Sequence, residues 1–356
     1  MNAWFLFAAA FVALAALLFA WLEGAARLLA RRFAFDEVDL VPTSDGALFV
    51  LGHVRPRSAP RDLPPVILCH GLAMNRHTFA LDPERSLAAC LARDGRDVWI
   101  LELRGAHGDT RDRVQSEHSF DTYARVDLPA AIAEVRARTG AREVDWVGFS
   151  MGGMLAYAHL GALRGDGVRR LATLGSPAGF RGHPMRAEVR LLRPFFGLLR
   201  LFRFVPYRAA LLLAAPLVWR SMPPVLTRGI RPANFSTEAL RATLASSFGD
   251  TPSGVTLQFA RWILDERFDS EDRSYDYAAG LSSLRAPLLV IAGSHDRLAP
   301  KANVFEARAA ASVETRFMVV GSADGAREDY DHIDLVLGDR ACDEVFPAVV
   351  EWLRAA

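Results

Sequence analysis

The sequence is poor in the side chains that build disulfide frameworks or thiolate metal sites. Its three cysteines, Cys69, Cys90 and Cys342, are odd in number and far apart along the chain. No two of them have the spacing of a zinc ligand pair or of a redox motif. We therefore predict no metal site. A reducing compartment fits this cysteine content best, although the periplasm stays open.

An excess of charge of either sign is also missing, because the formal net charge of the chain is +1. Nucleic-acid binding through the overall field of a protein usually requires a clear positive excess, so we predict no nucleic-acid partner. Hydrophobic residues make up 51% of the 356 positions, which is ample material for a large core. A chain of this length favours one main domain with an insertion.

The first 22 residues contain no charged side chain. At 1.5 Å per residue such a helix rises about 33 Å, enough to cross the hydrocarbon core of a bilayer. Arg27, Arg31 and Arg32 follow, and the positive-inside tendency keeps that side in the cytoplasm. We predict a single-pass anchor in the inner membrane over residues 1–32, with a cytoplasmic catalytic domain. The alternative is export after cleavage of a signal peptide, which the lack of a basic residue before the apolar stretch disfavours.

After this segment, short apolar runs alternate with helix-like stretches. This pattern predicts an α/β fold with a mostly parallel eight-stranded sheet and flanking helices. The predicted strands are residues 38–41, 48–54, 65–69, 98–103, 144–147, 171–174, 288–292 and 316–320. The principal helices are predicted at residues 126–137, 152–163, 301–311 and 343–353. The catalytic core is therefore predicted in two parts, residues 36–177 and 287–356.

The alternation stops between the two parts of the core. Residues 178–286 contain no convincing strand, and we predict a helical cap inserted over the mouth of the sheet. Within them, residues 181–231 mix ten arginines and a single acid, Glu188, with large apolar side chains. Such a mixture suits contact with anionic lipid, so a membrane surface is a predicted partner. An ordinary cap, with solvated arginines and with phenylalanines that face the sheet, is the alternative.

One motif points to nucleophilic catalysis. Gly148-Phe149-Ser150-Met151-Gly152 fits the G-x-S-x-G pattern, directly after an apolar strand and directly before a helix. This is the strand–turn–helix setting that the pattern requires. We predict that Ser150 is the nucleophile, held in a strained and very tight turn. Side chains two residues to either side would collide, which explains Gly148 and Gly152.

A serine hydroxyl needs a base, and the base needs a carboxylate that orients it. His332 follows the last predicted strand and lies at the same sheet edge as the serine turn, so we predict it as the base. His107 also follows a strand and is the alternative. Asp296, which follows strand 288–292, is the predicted acid. The order Ser150, Asp296, His332 is the one expected when the serine stands in a strand–turn–helix motif.

Backbone amides are predicted to hold the oxyanion that forms during acyl transfer. One belongs to Met151, directly after the nucleophile. The other belongs to Leu72, in the loop after strand 65–69. Gly71 lets this loop turn close to the site, and we expect His70 to shape the loop through its ring rather than act as a base. No metal or organic cofactor is needed.

With these residues, positions 36–356 resemble the α/β-hydrolase superfamily. Three stretches resemble the acid lipases and their bacterial relatives: residues 70–72 with 86–88, residues 97–99 with 104–105, and His332-Ile333-Asp334 with the helix that follows. Polyhydroxyalkanoate synthases are also similar, but they have cysteine where this chain has Ser150, which favours hydrolysis. Acid lipases are typically secreted and lack a long Arg-rich apolar insert.

The resemblance implies an esterase- or lipase-like enzyme that cleaves lipid or other acyl esters through an acyl-enzyme. A thioesterase or an acyltransferase could use the same groups, and a non-catalytic protein that binds lipid or a partner is a less favoured alternative.

Overall fold

The chain folds around one large sheet. In a computed structural model, the described residues are 3–31, 33–106, 110–111, 114–115, 117–218 and 227–355. The strands are β1 (Glu37–Pro42), β2 (Leu48–Val54), β3 (Val66–Cys69), β4 (Val98–Glu102), β5 (Val144–Phe149), β6 (Val168–Leu174), β7 (Phe204–Val205), β8 (Thr251–Pro252), β9 (Leu288–Gly293) and β10 (Thr315–Val320). Eight of them form the sheet in the order β1-β2-β4-β3-β5-β6-β9-β10. Within it, β2 pairs antiparallel with β1 and β4, and the remaining neighbours are parallel.

Helices surround this sheet and form most of the regular structure in the cap segment, the name used below for residues 178–286. They are α1 (Ala3–Leu29), α2 (Leu87–Arg93), α3 (Phe120–Thr122), α4 (Leu128–Thr139), α5 (Met151–Ala156), α6 (Arg186–Leu192), α7 (Phe196–Leu199), α8 (Tyr207–Ala214), α9 (Thr237–Ser246), α10 (Ser253–Asp265), α11 (Tyr277–Gly280), α12 (Lys301–Ala310), α13 (Asp334–Leu337), α14 (Ala341–Glu344) and α15 (Phe346–Arg354).

The central strands are buried along their whole length. Strands β3, β5 and β9 have no exposed residue, as expected for parallel strands with helices on both faces. Successive side chains of a strand point to opposite faces. Ile67 accordingly belongs to one core cluster, whereas Val66 and Leu68 belong to the other. The uninterrupted apolar runs of the sequence therefore correspond to a core with two layers.

The predicted α/β architecture and its eight-stranded, mostly parallel sheet are confirmed. Differences occur mainly within helices. The helix predicted at residues 152–163 changes from α to π geometry at Tyr157. The closing helix divides into α14 and α15 because Pro347 occupies the first turn of α15 and has no N–H for a continuous helical ladder. Helix α4 ends at Gly140 in a left-handed conformation (φ 72°), as the sequence indicated.

The cap segment contains a small sheet that the sequence did not indicate. Strands β7 and β8 pair antiparallel, with Phe204 opposite Pro252 and Val205 opposite Thr251. The prediction that this segment has no strand is therefore wrong. Two-residue strands are too short to show the alternation of polar and apolar side chains by which strands are recognised in a sequence.

The N-terminal helix α1 packs against the cap segment at its C-terminal end, where Ala25 contacts Leu212 and Ala245. Among the described residues, no helix has the length and apolar character needed to cross a membrane. The predicted transmembrane anchor is therefore not supported. Residues 1, 2 and 32 of the predicted anchor lie outside the described residues.

Candidate active site

Three loops at the carboxyl edge of the sheet carry the residues predicted for catalysis. Ser150 stands between β5 and α5, Asp296 follows β9, and His332 lies between β10 and α13. Because β5, β9 and β10 run parallel within one sheet, their carboxyl ends meet at the same edge. Residues separated by as many as 182 positions, from Ser150 to His332, are thereby brought to one side of the molecule.

The backbone of Ser150 is strained, with φ at 52° and ψ at −118°. A non-glycine residue with positive φ is uncommon and costs on the order of 1–3 kcal/mol. Its neighbours hold it in place: the Ser150 amide donates to the Leu174 carbonyl (2.8 Å), and its own carbonyl accepts from the amides of Gly153 (3.1 Å) and Met154 (3.2 Å). The expected tight turn is therefore present.

The two motif glycines lie where a side chain has no room. A Cβ atom at Gly148 would stand 2.3 Å from the Gly153 nitrogen. A Cβ atom at Gly152 would stand 2.1 Å from the carbonyl oxygen of Cys69, at the end of β3. Both obstacles are backbone atoms, which cannot rotate away as a side chain would. Neither position therefore has room for a side chain without a shift of the backbone.

His332 and Asp296 form a buried hydrogen-bonded pair. The distance from His332 Nδ1 to Asp296 Oδ2 is 2.7 Å. The other oxygen of Asp296 accepts from the amides of Leu298 (2.9 Å) and Ala299 (2.7 Å). A carboxylate held in this way accepts a hydrogen bond from Nδ1–H, which keeps the ring proton on Nδ1. Nε2 is then unprotonated, as it must be in a histidine that acts as a base.

The carboxylates nearest to His332 in sequence have other partners. Asp331 binds the Arg297 guanidinium (2.7 Å) and accepts from the His332 amide (2.9 Å). Asp334 accepts from the backbone amide of Asp331 (2.9 Å). Of these three carboxylates, Asp296 is the one that is hydrogen-bonded to the His332 ring in the described structure.

Residues close to Ser150 lie directly beside the His332 ring. Phe149 lies against the His332 ring, with 4.7 Å between ring centroids. A Cβ atom at Gly175 would stand 3.0 Å from His332 Nδ1, so β6 ends directly beside the imidazole. Within the described part of the chain, no hydrogen bond joins the Ser150 hydroxyl to His332. Bonds of this kind often tighten only when substrate binds.

The pKa of His332 predicts a pH profile. Burial by itself lowers this pKa, but the charge of Asp296 and the hydrogen bond to it outweigh burial, so the pKa lies above its usual value. A histidine that acts as a base must be neutral, and His332 is the predicted base. We therefore expect kcat/KM for a soluble ester to rise with pH, with a half-maximal point above about 6.5.

Asp296→Asn tests the cause of that shift. Without the carboxylate charge the half-maximal point moves to lower pH, and the overall rate also falls because the tautomer is no longer fixed. A wild-type limb at or below about pH 6.5, or a limb that Asp296→Asn does not move, would contradict this assignment.

The His70 ring lies within the loop after β3 and is hydrogen-bonded at both nitrogens. Its Nδ1 bonds to the Gly71 carbonyl (2.8 Å), and its Nε2 accepts from the Leu103 amide (3.1 Å). Burial lowers the pKa of His70, which favours the neutral ring that this pattern requires. The imidazole thus ties the loop after β3 to the end of β4. Gly71 is needed beside it, because a Cβ there would be 3.0 Å from Ser150 Cβ.

The two predicted oxyanion donors directly follow the two residues of this close contact, Gly71 and Ser150. Leu72 directly follows Gly71, and its amide donates no hydrogen bond to the part of the chain that the structure describes. Met151 is the first residue of α5, and the first amides of a helix have no acceptor within the helix itself. The loop is fixed further on by Ala73, whose amide donates to the Thr251 hydroxyl in the cap segment (3.2 Å).

Sequence reasoning missed the contribution of Asp334. Its buried carboxylate accepts from the amide of Arg231 (3.1 Å) and from Asn234 Nδ2 (2.8 Å) in addition to the amide of Asp331. Burial raises the pKa of Asp334 to about 7, and these donors oppose the rise. The residue joins the cap segment to the loop that carries His332. Its proximity to His332 in sequence was the available signal.

The alternative base, His107, lies outside the described residues. Among those that are described, no group of three or more histidine, cysteine, aspartate or glutamate side chains could hold a metal ion.

Comparison with known families decides the assignment. The model of the alpha/beta hydrolase fold family matches residues 64–323 of the sequence. The chain belongs to the α/β-hydrolase family. This α/β-hydrolase is 25% identical over 332 residues to a protein named as a probable lipase of Schizosaccharomyces pombe, with 83% of this chain and 68% of the relative covered.

A second relative and one solved structure agree with this. Human lysosomal acid lipase/cholesteryl ester hydrolase is 30% identical over 183 residues, 46% of each chain. The crystal structure of a hydrolase from Pseudomonas aeruginosa superimposes with a TM-score of 0.58 at 17% identity, covering 90% of this chain and 99% of that one. The last likeness shows the fold alone. The predicted resemblance to lipases and the esterase/lipase-like enzyme class are confirmed.

Proposed function

We propose that this α/β-hydrolase cleaves carboxylic esters of lipids or other acyl compounds through a Ser150 acyl-enzyme. The observation that carries the proposal is the buried His332–Asp296 pair at 2.7 Å, at the sheet edge where Ser150 stands in a strained turn. The names of the lipase relatives support an ester substrate.

In the first half of the reaction, Ser150 Oγ attacks the acyl carbonyl while His332 Nε2 takes its proton. The negative charge that develops on the carbonyl oxygen is held by the amides of Leu72 and Met151, and the N-terminus of α5 favours the same charge. Asp296 stabilises the imidazolium through Nδ1. The protonated ring then gives its proton to the leaving alcohol, and the acyl group stays on Ser150.

In the second half, water takes the place of the alcohol. His332 removes a proton from the water, which attacks the acyl carbonyl. Collapse of the second tetrahedral intermediate returns the proton to Ser150 Oγ and releases the carboxylic acid. The same groups would pass the acyl chain to an alcohol if an alcohol reached the site before water, so product identity separates a hydrolase from an acyltransferase.

The test combines a fluorophosphonate probe with product analysis. We expect the probe to form one covalent adduct, which peptide mass spectrometry places on Ser150. A series of p-nitrophenyl esters and matched thioesters should show ester hydrolysis with a burst of the first product, and the free acid should remain the product when glycerol is added. Labelling at another residue, or no turnover of any ester, would reject the proposal. A predominance of glyceryl ester would identify an acyltransferase.

A further inference from the structure

One surface of the cap segment exposes large apolar side chains in an unusual density. We call residues 190–202 the cap ridge; they include the end of α6 and all of α7. The exposed fractions of its apolar side chains are Leu191 77%, Leu192 55%, Phe195 61%, Leu198 55%, Leu201 79% and Phe202 55%. The surfaces of soluble monomeric proteins rarely expose so many large apolar side chains together. Such patches mark sites that bind a protein or a membrane.

The same ridge carries positive charge without compensation. Arg190, Arg193 and Arg200 are exposed, and their side chains form no hydrogen bond or ion pair with any residue that the structure describes. The single acid of residues 181–231, Glu188, is engaged with Arg228 at 2.9 Å. A partner that covers the ridge would therefore need both an apolar interior and negative charge at its surface.

The ridge is firmly attached to the body of the protein. Phe196 packs against the larger core cluster, while Phe195 and Phe202 face away from it. The carbonyl of Phe202 accepts from the Ser253 hydroxyl (2.7 Å), and Arg203 donates to the Val114 carbonyl (2.7 Å). The alternative of an ordinary cap, in which the phenylalanines face the sheet, therefore fits Phe196. It does not fit Phe195 or Phe202.

The segments on either side of the ridge contact the edge of the sheet where the proposed site lies. His183, which precedes the ridge, bonds through Nε2 to the carbonyl of Leu298, two residues after Asp296 (3.0 Å). On the other side, Phe204 lies against Gly105 just beyond the end of β4, where a Cβ atom would be 2.9 Å from its ring. The ridge is therefore flanked on both sides by contacts with the edge of the sheet that carries the proposed site.

We propose that the cap ridge docks this enzyme onto bilayers that contain anionic phospholipid. The leucines and phenylalanines enter the boundary between headgroups and acyl chains, and the arginines contact lipid phosphates and negative headgroups. The inference rests on the proposed function in one respect: it identifies the lipid surface as the place where the ester substrate is met. Docking itself does not depend on catalysis.

The experiment measures flotation of the full-length protein with vesicles of phosphatidylcholine alone or with 30% phosphatidylglycerol. We expect the anionic vesicles to bind the wild-type chain more tightly, and the difference to shrink at high salt. Arg190→Gln, Arg193→Gln and Arg200→Gln combined should lower binding to the anionic vesicles by about 100-fold, since each arginine near such a surface contributes about fivefold. The readout is the difference between the two lipids, because α1 also exposes apolar side chains such as Phe11.

A matched control separates the ridge from general charge. Arg142, Arg285 and Arg308 are also exposed and bond to no described residue, but they lie towards the opposite edge of the sheet. Changing all three to glutamine alters the net charge equally and should leave vesicle binding within about threefold of wild type, because charges beyond a Debye length are screened. Equal losses in both triple variants, or undiminished anionic binding in the ridge variant, would overturn the proposal.

A second pair of measurements distinguishes docking from the reaction. The ridge variant should hydrolyse a short soluble ester at the wild-type rate and lose activity only on esters embedded in anionic vesicles. Ser150→Ala should show the opposite pattern, with normal vesicle binding and no hydrolysis. Normal docking without any ester turnover in the wild-type protein would reject the proposed function and leave the docking surface standing. A loss of soluble activity in the ridge variant would count against docking as its role.

Discussion

Ser150→Ala should lower the rate of ester hydrolysis by about 10⁴-fold or more. This change removes the oxygen that we propose as the nucleophile, while the amides of Leu72 and Met151 and the His332–Asp296 pair remain in place. Residual activity would come from water that His332 activates directly, assisted by the donors that stabilise the oxyanion. The measurement is kcat/KM on a p-nitrophenyl ester, together with a thermal melt that shows an intact fold.

The buried Ser176 provides a matched control. It lies just beyond the end of β6, the neighbouring strand, and its hydroxyl donates to the Leu174 carbonyl (3.3 Å). Ser176→Ala removes a hydroxyl from the same region without removing the proposed nucleophile, so a loss of no more than about tenfold is expected, in line with one lost neutral hydrogen bond. Retention of substantial activity in Ser150→Ala would show that another group attacks the ester.

Gly152→Ala should prevent the native fold or reduce its free energy of unfolding by about 4 kcal/mol or more. The added methyl group would lie 2.1 Å from the Cys69 carbonyl oxygen and 2.9 Å from that of His70. Relief would require α5 to move away from β3, which would separate the Ser150 turn from the loop that carries Leu72. Since domains are stable by only about 5–15 kcal/mol, such a loss should be evident in yield and in urea denaturation.

Gly197→Ala is the control for this substitution. Gly197 lies in α7, and nothing lies within 4 Å of the position that a Cβ atom would occupy there. Alanine should leave stability unchanged or raise it by up to about 1 kcal/mol, because glycine is a poor helix former. If Gly152→Ala proved as stable as Gly197→Ala, the packing of α5 on β3 would have to differ from the one described.

The parts of the molecule predictable from sequence were those with strong local signals. The buried strands show as apolar runs, the turn at Ser150 shows through its two glycines, and Gly140 marks the end of α4. Candidates for the acid and the base were then limited to residues in loops at the carboxyl edge of the sheet. Asp296 was selected because it follows a strand at this edge, and its bond to His332 is 2.7 Å long.

What the sequence did not predict depends on contacts between distant segments. The π geometry that begins at Tyr157 has no marker in the local sequence, and the pairing of β7 with β8 joins two residues to two others across nearly fifty positions. The partners of Asp334 come from the cap segment, so its carboxylate could not be assigned from neighbours in the chain. Tertiary contacts of this kind leave no periodic pattern in the sequence.

The bonds of Asp334 bear on any attempt to exchange the cap segment for that of a relative. The Gly229 carbonyl accepts from the Ile333 amide (2.8 Å), and Asn234 and the Arg231 amide bond to Asp334. A chimera that replaced residues 227–234 together with the rest of the cap segment would remove the partners that hold the loop of His332. Transplants that retain residues 227–234 and replace other parts of the cap segment should preserve the arrangement of His332 and Asp296.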